Sequence, residues 1–498
     1  MPQGAPLDAR CELVRRADAI VVGSGPNGLA AALTMARAGL VVDVFEGAET
    51  AGGGCRTDTL TLPGFHHDVC SAVHPLLNGS PFFQHCDLAA RGVRLLTPHV
   101  AFAHPLDGGR AAAAVGDVEE TSSALGRDAS AYVRMFSSLV RDADRILPNF
   151  LAPLRSIPSS PVATARFGLK GLTPAQRLAA RFETDEGKAI VAGAAAHAML
   201  PFTAPLSGAF ALLFTMLAHS LGWPVVEGGS ARVIDALTSE LESLGGHVIT
   251  GTWIRDLNDL PPARATILDV TPRQLLGMDS DRLPARYRRG LERFRYGPGV
   301  CKVDWALDGP VPWQADRCRE AVTLHVGGTF AEVARSEADV SAGRHADQPF
   351  CLVTQPCVID PTRAPEGRHT LWAYCHVPNG SGVDMREKIE SQIERFAPGF
   401  RDRILAHVTT TASDAEVHNP SYVGGDIGAG AATLRQTLFR PTAQWNPYRT
   451  GIKGVYLGSA STPPGGGVHG MCGDGAARTA LHDLERSSTG ISATRSPR

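Results

Sequence analysis

The chain has 498 residues, 43% of them hydrophobic and 20% charged, with 48 Lys and Arg against 50 Asp and Glu for a formal net charge of −2. This is the composition of a globular protein, built as two or three domains or as one interleaved fold, and it excludes a disordered chain, a basic nucleic-acid arm and an acidic tail. The ten cysteines contain no CxxC pair, so a redox dithiol or a zinc pair of that kind is excluded and buried reduced thiols are expected.

In chain order, residues 1–18 have no apolar core of the kind a secretory leader needs, and the longest apolar stretch, 208–218, falls well short of the roughly 20 residues of a spanning helix. A soluble, cytoplasmic protein is expected, with a peripheral membrane contact left open. Ala19–Gly23 (AIVVG) predicts a buried parallel strand that stops at glycine. Asn27–Ala38, rich in Ala and Leu, predicts a helix ending at Gly39, and Leu40–Phe45 a second strand, which makes a βαβ unit. Residues 120–220 carry helical patterns broken by prolines. Val226–Leu244 reads as a glycine loop followed by an amphipathic helix, and Gly246–Leu257 and Arg264–Val270 as strands. From Val300 to about Val377 the chain is strand-like (CKVDWAL, VTLHV, FCLVTQ, HTLWAYCHV), Ile389–Phe396 is a helix, Gly454–Gly458 a last buried strand and Met471–Leu484 a last helix. The alternation predicts an α/β protein with one Rossmann-like nucleotide-binding domain assembled from separated segments. Residues 17–80, 225–300 and 415–485 are assigned to that domain and 81–224 and 301–414 to an inserted mixed-sheet and helical substrate domain. Residues 1–16 and 486–498 are expected to be flexible termini.

Gly23-Ser24-Gly25-Pro26-Asn27-Gly28 sits between the first strand and the first helix. The first glycine permits the tight turn, the second lets the backbone approach a pyrophosphate, and the third lets helix and strand pack closely. The helix N-terminus then offers free N–H groups and a partial positive charge to the phosphates. Glu46 closes the second strand, where a carboxylate can accept from a ribose hydroxyl. A second glycine cluster, Gly52-Gly53-Gly54-Cys55-Arg56-Thr57, follows at once. A plain NAD domain has no need of it, whereas FAD, lying extended, needs more exposed backbone and a cation beside the pyrophosphate. One βαβ unit carries the fingerprint, so reduction by NAD(P)H through a second Rossmann domain is not expected.

With GSGPNGLAAA, GGGCRTDTLTLPGFHHDVCSAVHPL, GWPVVEGGSARVIDAL, ILDVTPRQLL, DPTRAPEGRHTLWAYCHVP, ERFAPGFRDRI and STPPGGGVHGMCGDGAA, the chain resembles the phytoene desaturase-like FAD oxidoreductases, and within them the pyridine nucleotide-disulphide oxidoreductase domain-containing subgroup. The resemblance runs from Ala19 to about Leu484 and implies an amine oxidase/carotenoid desaturase-type fold with FAD as cofactor. It implies that Ile254 meets the adenine end and that the loop from Ser459 through Gly467, Val468 and His469 meets the flavin. The expected cofactor-binding set is therefore Gly23, Gly25, Pro26, Asn27, Gly28, Glu46, Gly53, Gly54, Arg56, Thr57, Ile254, Ser459, Gly467, Val468 and His469. Ser459 and His469 stand where carotenoid desaturases usually have glycine and proline, so a carotene substrate is not assumed.

Candidates for chemistry are His469, His67 and His376. His469 lies in the glycine loop and can either take a proton as a hydride leaves or orient the loop through the backbone. His66, His67 and His74 cluster near Asp68 without a metal-binding spacing, so no metal is expected. Asp68 reads as a turn or cap residue, and Lys302 as a surface lysine. Trp372, Tyr374 and His376 alternate on one strand and share a face, either lining a pocket or packing the sheet. The leading expectation is hydride transfer from a mostly apolar small molecule to flavin N5, with oxygen or a quinone as acceptor and no nucleic-acid partner. Amine-type oxidation, a redox-neutral isomerase or hydratase, and a flavin-binding interaction protein with little turnover are the alternatives.

Overall fold

The computed structural model describes residues 17–153, 157–279 and 281–492. β1 (Ala19–Val22) is buried throughout, and Gly23 ends it at φ +100°, a conformation that side chains disfavour. α1 (Pro26–Arg37) opens on proline, whose missing N–H costs nothing in a first turn, and packs along the last helix, Met471–Ser492. β2 (Val42–Phe45) pairs in parallel with β1. Three strands from far along the chain complete an all-parallel sheet, in the order Val455–Leu457, Ala265–Leu268, β1, β2, His247–Ile249. β1 is thus central, and its carboxyl end, where such sheets bind ligands, carries the glycine loop.

A second sheet of seven strands runs Ile404–Thr410, Gly299–Leu307, His369–Val377, Cys351–Thr354, Thr323–Val326, Val100–Leu106, Arg110–Val115. Its neighbours are antiparallel except Thr323–Val326 beside Val100–Leu106. One face packs on helices that include Asp185–Ala196 and Ser207–Ser220, around Phe102, Tyr132, Phe136, Leu212 and Trp223. The other packs against Arg386–Phe396 through Trp305, Ile389, Ile393 and Phe396. The Val100–Leu106 and Arg110–Val115 hairpin adds two strands that hydrophobic patterning did not single out.

The strand expected over Gly246–Leu257 is only His247–Ile249. Gly251 turns at φ +65°, and the Gly251 and Thr252 amides donate back to the carbonyls of Ala48 and Glu46, so the chain curls over the end of β2. Ile254 therefore sits in this loop rather than on a strand. Residues 486–492, expected in a flexible tail, continue the last helix, while residues 1–16 and 493–498 lie outside the described residues. Among the described residues no helix is long and apolar enough to cross a membrane.

Candidate dinucleotide and substrate site

The glycine loop is held by two carboxylates. Ser24 donates from its backbone N and its Oγ to Glu46 Oε2 at 2.9 and 2.6 Å, and Ala48 N donates to Oε1 at 2.9 Å. Arg56 stands 3.7 Å from the same carboxylate. On the other side Gly28 N donates to Asp269 Oδ2 at 2.9 Å. A Cβ on Gly28 would lie 1.9 Å from the Gly23 carbonyl oxygen, so close packing of helix on strand requires glycine there. Asp269, at the carboxyl end of Ala265–Leu268, is half-buried on the cavity wall, and its desolvation there, with Glu46 nearby, raises its pKa to about 7. It was not picked out from the sequence, although it stands inside the ILDVTP run; an acid directly after a buried strand was the available signal.

The loop opens onto a cavity of about 1330 Å³. Gly23, Gly25, Pro26, Asn27, Glu46, Gly53, Gly54, Arg56 and Ile254 line one part of it, together with Asp269. Ser459, Gly467, Val468 and His469 line it too. Phe167, Phe210, Leu213, Phe214, Trp372 and Tyr374 give it an apolar and aromatic wall. Two members of the expected set stand behind the lining. Gly28 faces Gly23, and Thr57 Oγ1 donates to Asp68 at 2.8 Å while accepting from Ala231 N at 3.1 Å.

His469 is buried, and both its nitrogens meet the backbone: Nδ1 accepts from Met471 N at 3.1 Å, so Nε2 carries the proton and faces the Gly465 carbonyl at 3.1 Å. Burial lowers its pKa to about 4, so the ring is neutral. The ring therefore fixes the glycine loop to the start of the last helix. That loop repeats the GxGxxG spacing at Gly465, Gly467 and Gly470, but it follows the edge strand Val455–Leu457 and starts no further βαβ unit.

His67 and His376 are not on the cavity lining. His67 Nε2 is 2.8 Å from Thr61 Oγ1 and its Nδ1 3.5 Å from Asp304, while His376 Nδ1 is 2.8 Å from Glu337. Trp372 and Tyr374 do line the cavity, stacked at 5.7 Å. Lys302 is buried rather than on the surface, held 2.5 Å from Asp304 and lying over the Trp372 ring at 5.4 Å. Asp68 accepts from Arg363 at 2.6 Å and from Ser230 N at 2.8 Å. Burial pushes its carboxyl up, but the Arg363 guanidinium outweighs this and holds it below the usual carboxylate range. Among the described residues no cluster of His, Cys, Asp and Glu is arranged to hold a metal ion.

Residues 21–86 match an NAD(P)-binding Rossmann-like domain. The chain is 25% identical to mouse pyridine nucleotide-disulfide oxidoreductase domain-containing protein 2 over 94% of each chain. It is also 25% identical to the neurosporene-forming phytoene desaturase of Rhodobacter capsulatus over 53% of this chain and 54% of that one. A triple mutant of putrescine oxidase shares the fold, with a TM-score of 0.59 at 17% identity over 95% of this chain and 99% of that one. The chain is thus a homologue of pyridine nucleotide-disulfide oxidoreductase domain-containing protein 2 and of the phytoene desaturases, with a Rossmann-like dinucleotide domain in an amine oxidase-type fold.

Proposed function

We propose that the protein is an FAD-dependent oxidoreductase that takes a hydride from a mostly apolar small molecule. The observation that carries this reading is that one cavity is lined by the glycine loop, the C-terminal loop and an apolar, aromatic wall. The residues fit FAD: beyond the first glycine loop they supply a second stretch of open backbone at Gly53 and Gly54, where a Cβ on Gly53 would meet Gly25 Cα at 3.1 Å, and the Arg56 cation beside it. Bound FAD supplies a hydride acceptor at its N5 position.

The chain does the rest. The Gly25 and Asn27 amides at the N-terminus of α1 would bind the pyrophosphate, since those of Gly23, Ser24 and Gly28 donate to Phe45, Glu46 and Asp269 and Pro26 has none. Glu46, braced by Ser24 and Ala48, keeps the loop in shape and presents its carboxylate to the ribose. Ser459, Gly467 and Val468 line the cavity, and His469 is a positioning residue that sets their loop. His376 packs beside Tyr374 of the wall, while His67 is held by Thr61 away from it. Phe210, Phe214, Trp372 and Tyr374 hold an apolar substrate and exclude water from the reacting carbon. We assign residues 17–80, 225–300 and 415–485 to the cofactor domain and 81–224 and 301–414 to the substrate domain. The relatives named for desaturase activity agree with an apolar substrate.

The test is anaerobic addition of fractionated apolar metabolites to the purified protein. Loss of the visible flavin band with one fraction, and its return in air, is the expected result. Chemical turnover of a fraction with the band unchanged would overturn net oxidation in favour of a redox-neutral reaction.

A further inference from the structure

Among the imidazoles on the cavity lining, that of His197 packs into the aromatic part of the wall. His197 follows the helix Asp185–Ala196 and lines the wall beside Phe214 and Trp223. Its ring is clamped, 4.6 Å from Phe214 between centroids and edge-on to Trp223 at 5.6 Å and to His325 at 5.1 Å. Its Nε2 stands 2.9 Å from Nε2 of His325, a residue on the Thr323–Val326 strand. Among the described residues, no hydrogen-bond partner stands against its Nδ1. Thr323, Thr354 and the Trp372 indole also belong to this wall, but their unpartnered polar atoms are sealed within it.

Two imidazoles in Nε2–Nε2 contact share one proton there. Burial drives both toward the neutral form, His197 to a pKa of about 3 and His325 well below the ordinary histidine value. The nitrogen at the far side of His325 decides which ring donates. His325 Nδ1 is buried without a partner and packs under Gly193, where a Cβ would lie 2.3 Å from it. A bare N–H in that position is rarer and costlier than a bare acceptor. His325 therefore carries its proton on Nε2 and donates it to His197 Nε2, which leaves the His197 proton on Nδ1.

We infer that His197 Nδ1–H is a hydrogen-bond donor offered to the chamber, and that the substrate is an apolar skeleton carrying an oxygen acceptor, a carbonyl, ether or hydroxyl, rather than a plain hydrocarbon. An N–H facing an apolar space costs free energy unless the occupant accepts from it, and a hydrocarbon cannot. The inference rests on the reading of this cavity as a substrate chamber. It names His197 as a specificity-determining residue and His325 as the residue that sets its tautomer.

The test uses 1-tetralone and tetralin, a ketone and a hydrocarbon on one skeleton, titrated calorimetrically into the wild-type protein and His197→Phe. Flavin content is read separately from the visible spectrum. The ketone-to-hydrocarbon affinity ratio is expected to fall about tenfold in His197→Phe while tetralin binds nearly as before. An equal ratio in the two proteins overturns the inference. A falling ratio in protein that holds no flavin supports the anchor and removes the FAD reading instead, so the two failures are distinguishable. Should His197→Phe not fold, NMR of the wild-type protein labelled with ¹⁵N-histidine decides. An Nδ1–H signal of His197 that moves with tetralone and not with tetralin is expected, and an Nε2–H tautomer or equal movement with both contradicts it.

Discussion

Two titratable side chains line the cavity, His469 buried and Asp269 half-buried, and their surroundings set different expectations. His469 has both nitrogens taken by backbone groups and a pKa lowered to about 4, mainly by burial. Taking up a proton there means breaking the bond from Met471 N, so the ring serves as a fastener and not as a base. His469→Ala should lose much of its flavin, and the fraction that keeps it should still be bleached by substrate at a rate within about tenfold of wild type, below the range of a lost general base. A flavin-replete variant slowed a hundredfold or more would restore the proton-acceptor role. Asp269 is shifted the other way, to about 7, by burial first and by Glu46 second. Its folded pKa exceeds the unfolded value, so the folded state binds the extra proton and stability falls as pH rises from about 4 to about 7. Between pH 5 and 8 the thermal midpoint should therefore drop, and Asp269→Asn should flatten that slope. An unchanged slope would show that other groups carry it.

The elements that hold the site are tied together by short, specific contacts. Because a Cβ at position 28 would sit 1.9 Å from the Gly23 carbonyl, Gly28→Ala should destabilise the βαβ unit by about 1–3 kcal/mol and yield flavin-poor protein, measurable by thermal melting and by absorbance. Arg363 and Asp68, each 1% exposed, join the short strand His67–Asp68 to the start of the Ala231–Ser243 helix through Ser230 N. Arg363→Met leaves the carboxylate uncompensated and should cost about 3–5 kcal/mol, read by chemical denaturation. This scale also shows what the sequence conveyed. β1, α1 and β2 were legible because strand, glycine turn and helix each have a local signal, and their observed bounds differ from the expected ones by no more than about two residues. The Val100–Leu106 and Arg110–Val115 hairpin was not, because its second strand is mostly alanine, and only the Asp107-Gly108-Gly109 turn announced it. Lys302 and Asp304 were illegible as a buried pair because burial of a charge is decided by the strands on either side, Ile404–Thr410 and His369–Val377, which lie about 70 to 100 residues away in the chain.

At the scale of the molecule, a parallel sheet built from distant segments puts the glycine loop beside a chamber floored by the second sheet. The two loops that meet in the cavity are more than 400 residues apart in sequence, so their meeting could be expected from resemblance but not from spacing. His197 and His325 had no sequence signal at all, since their contact joins a helix end to a central strand. With one glycine fingerprint opening a βαβ unit among the described residues, NADPH alone should not bleach the flavin at a catalytic rate; rapid anaerobic bleaching would require a second nicotinamide site. The central claim is that this cavity holds FAD, and the amount of FAD released on denaturing the purified protein tests it most directly. The account predicts about one FAD per chain, non-covalently bound, reduced to a small fraction in Gly25→Val and in Glu46→Ala. Recovery of NAD(P) in place of FAD, or full flavin content in both folded variants, would contradict it.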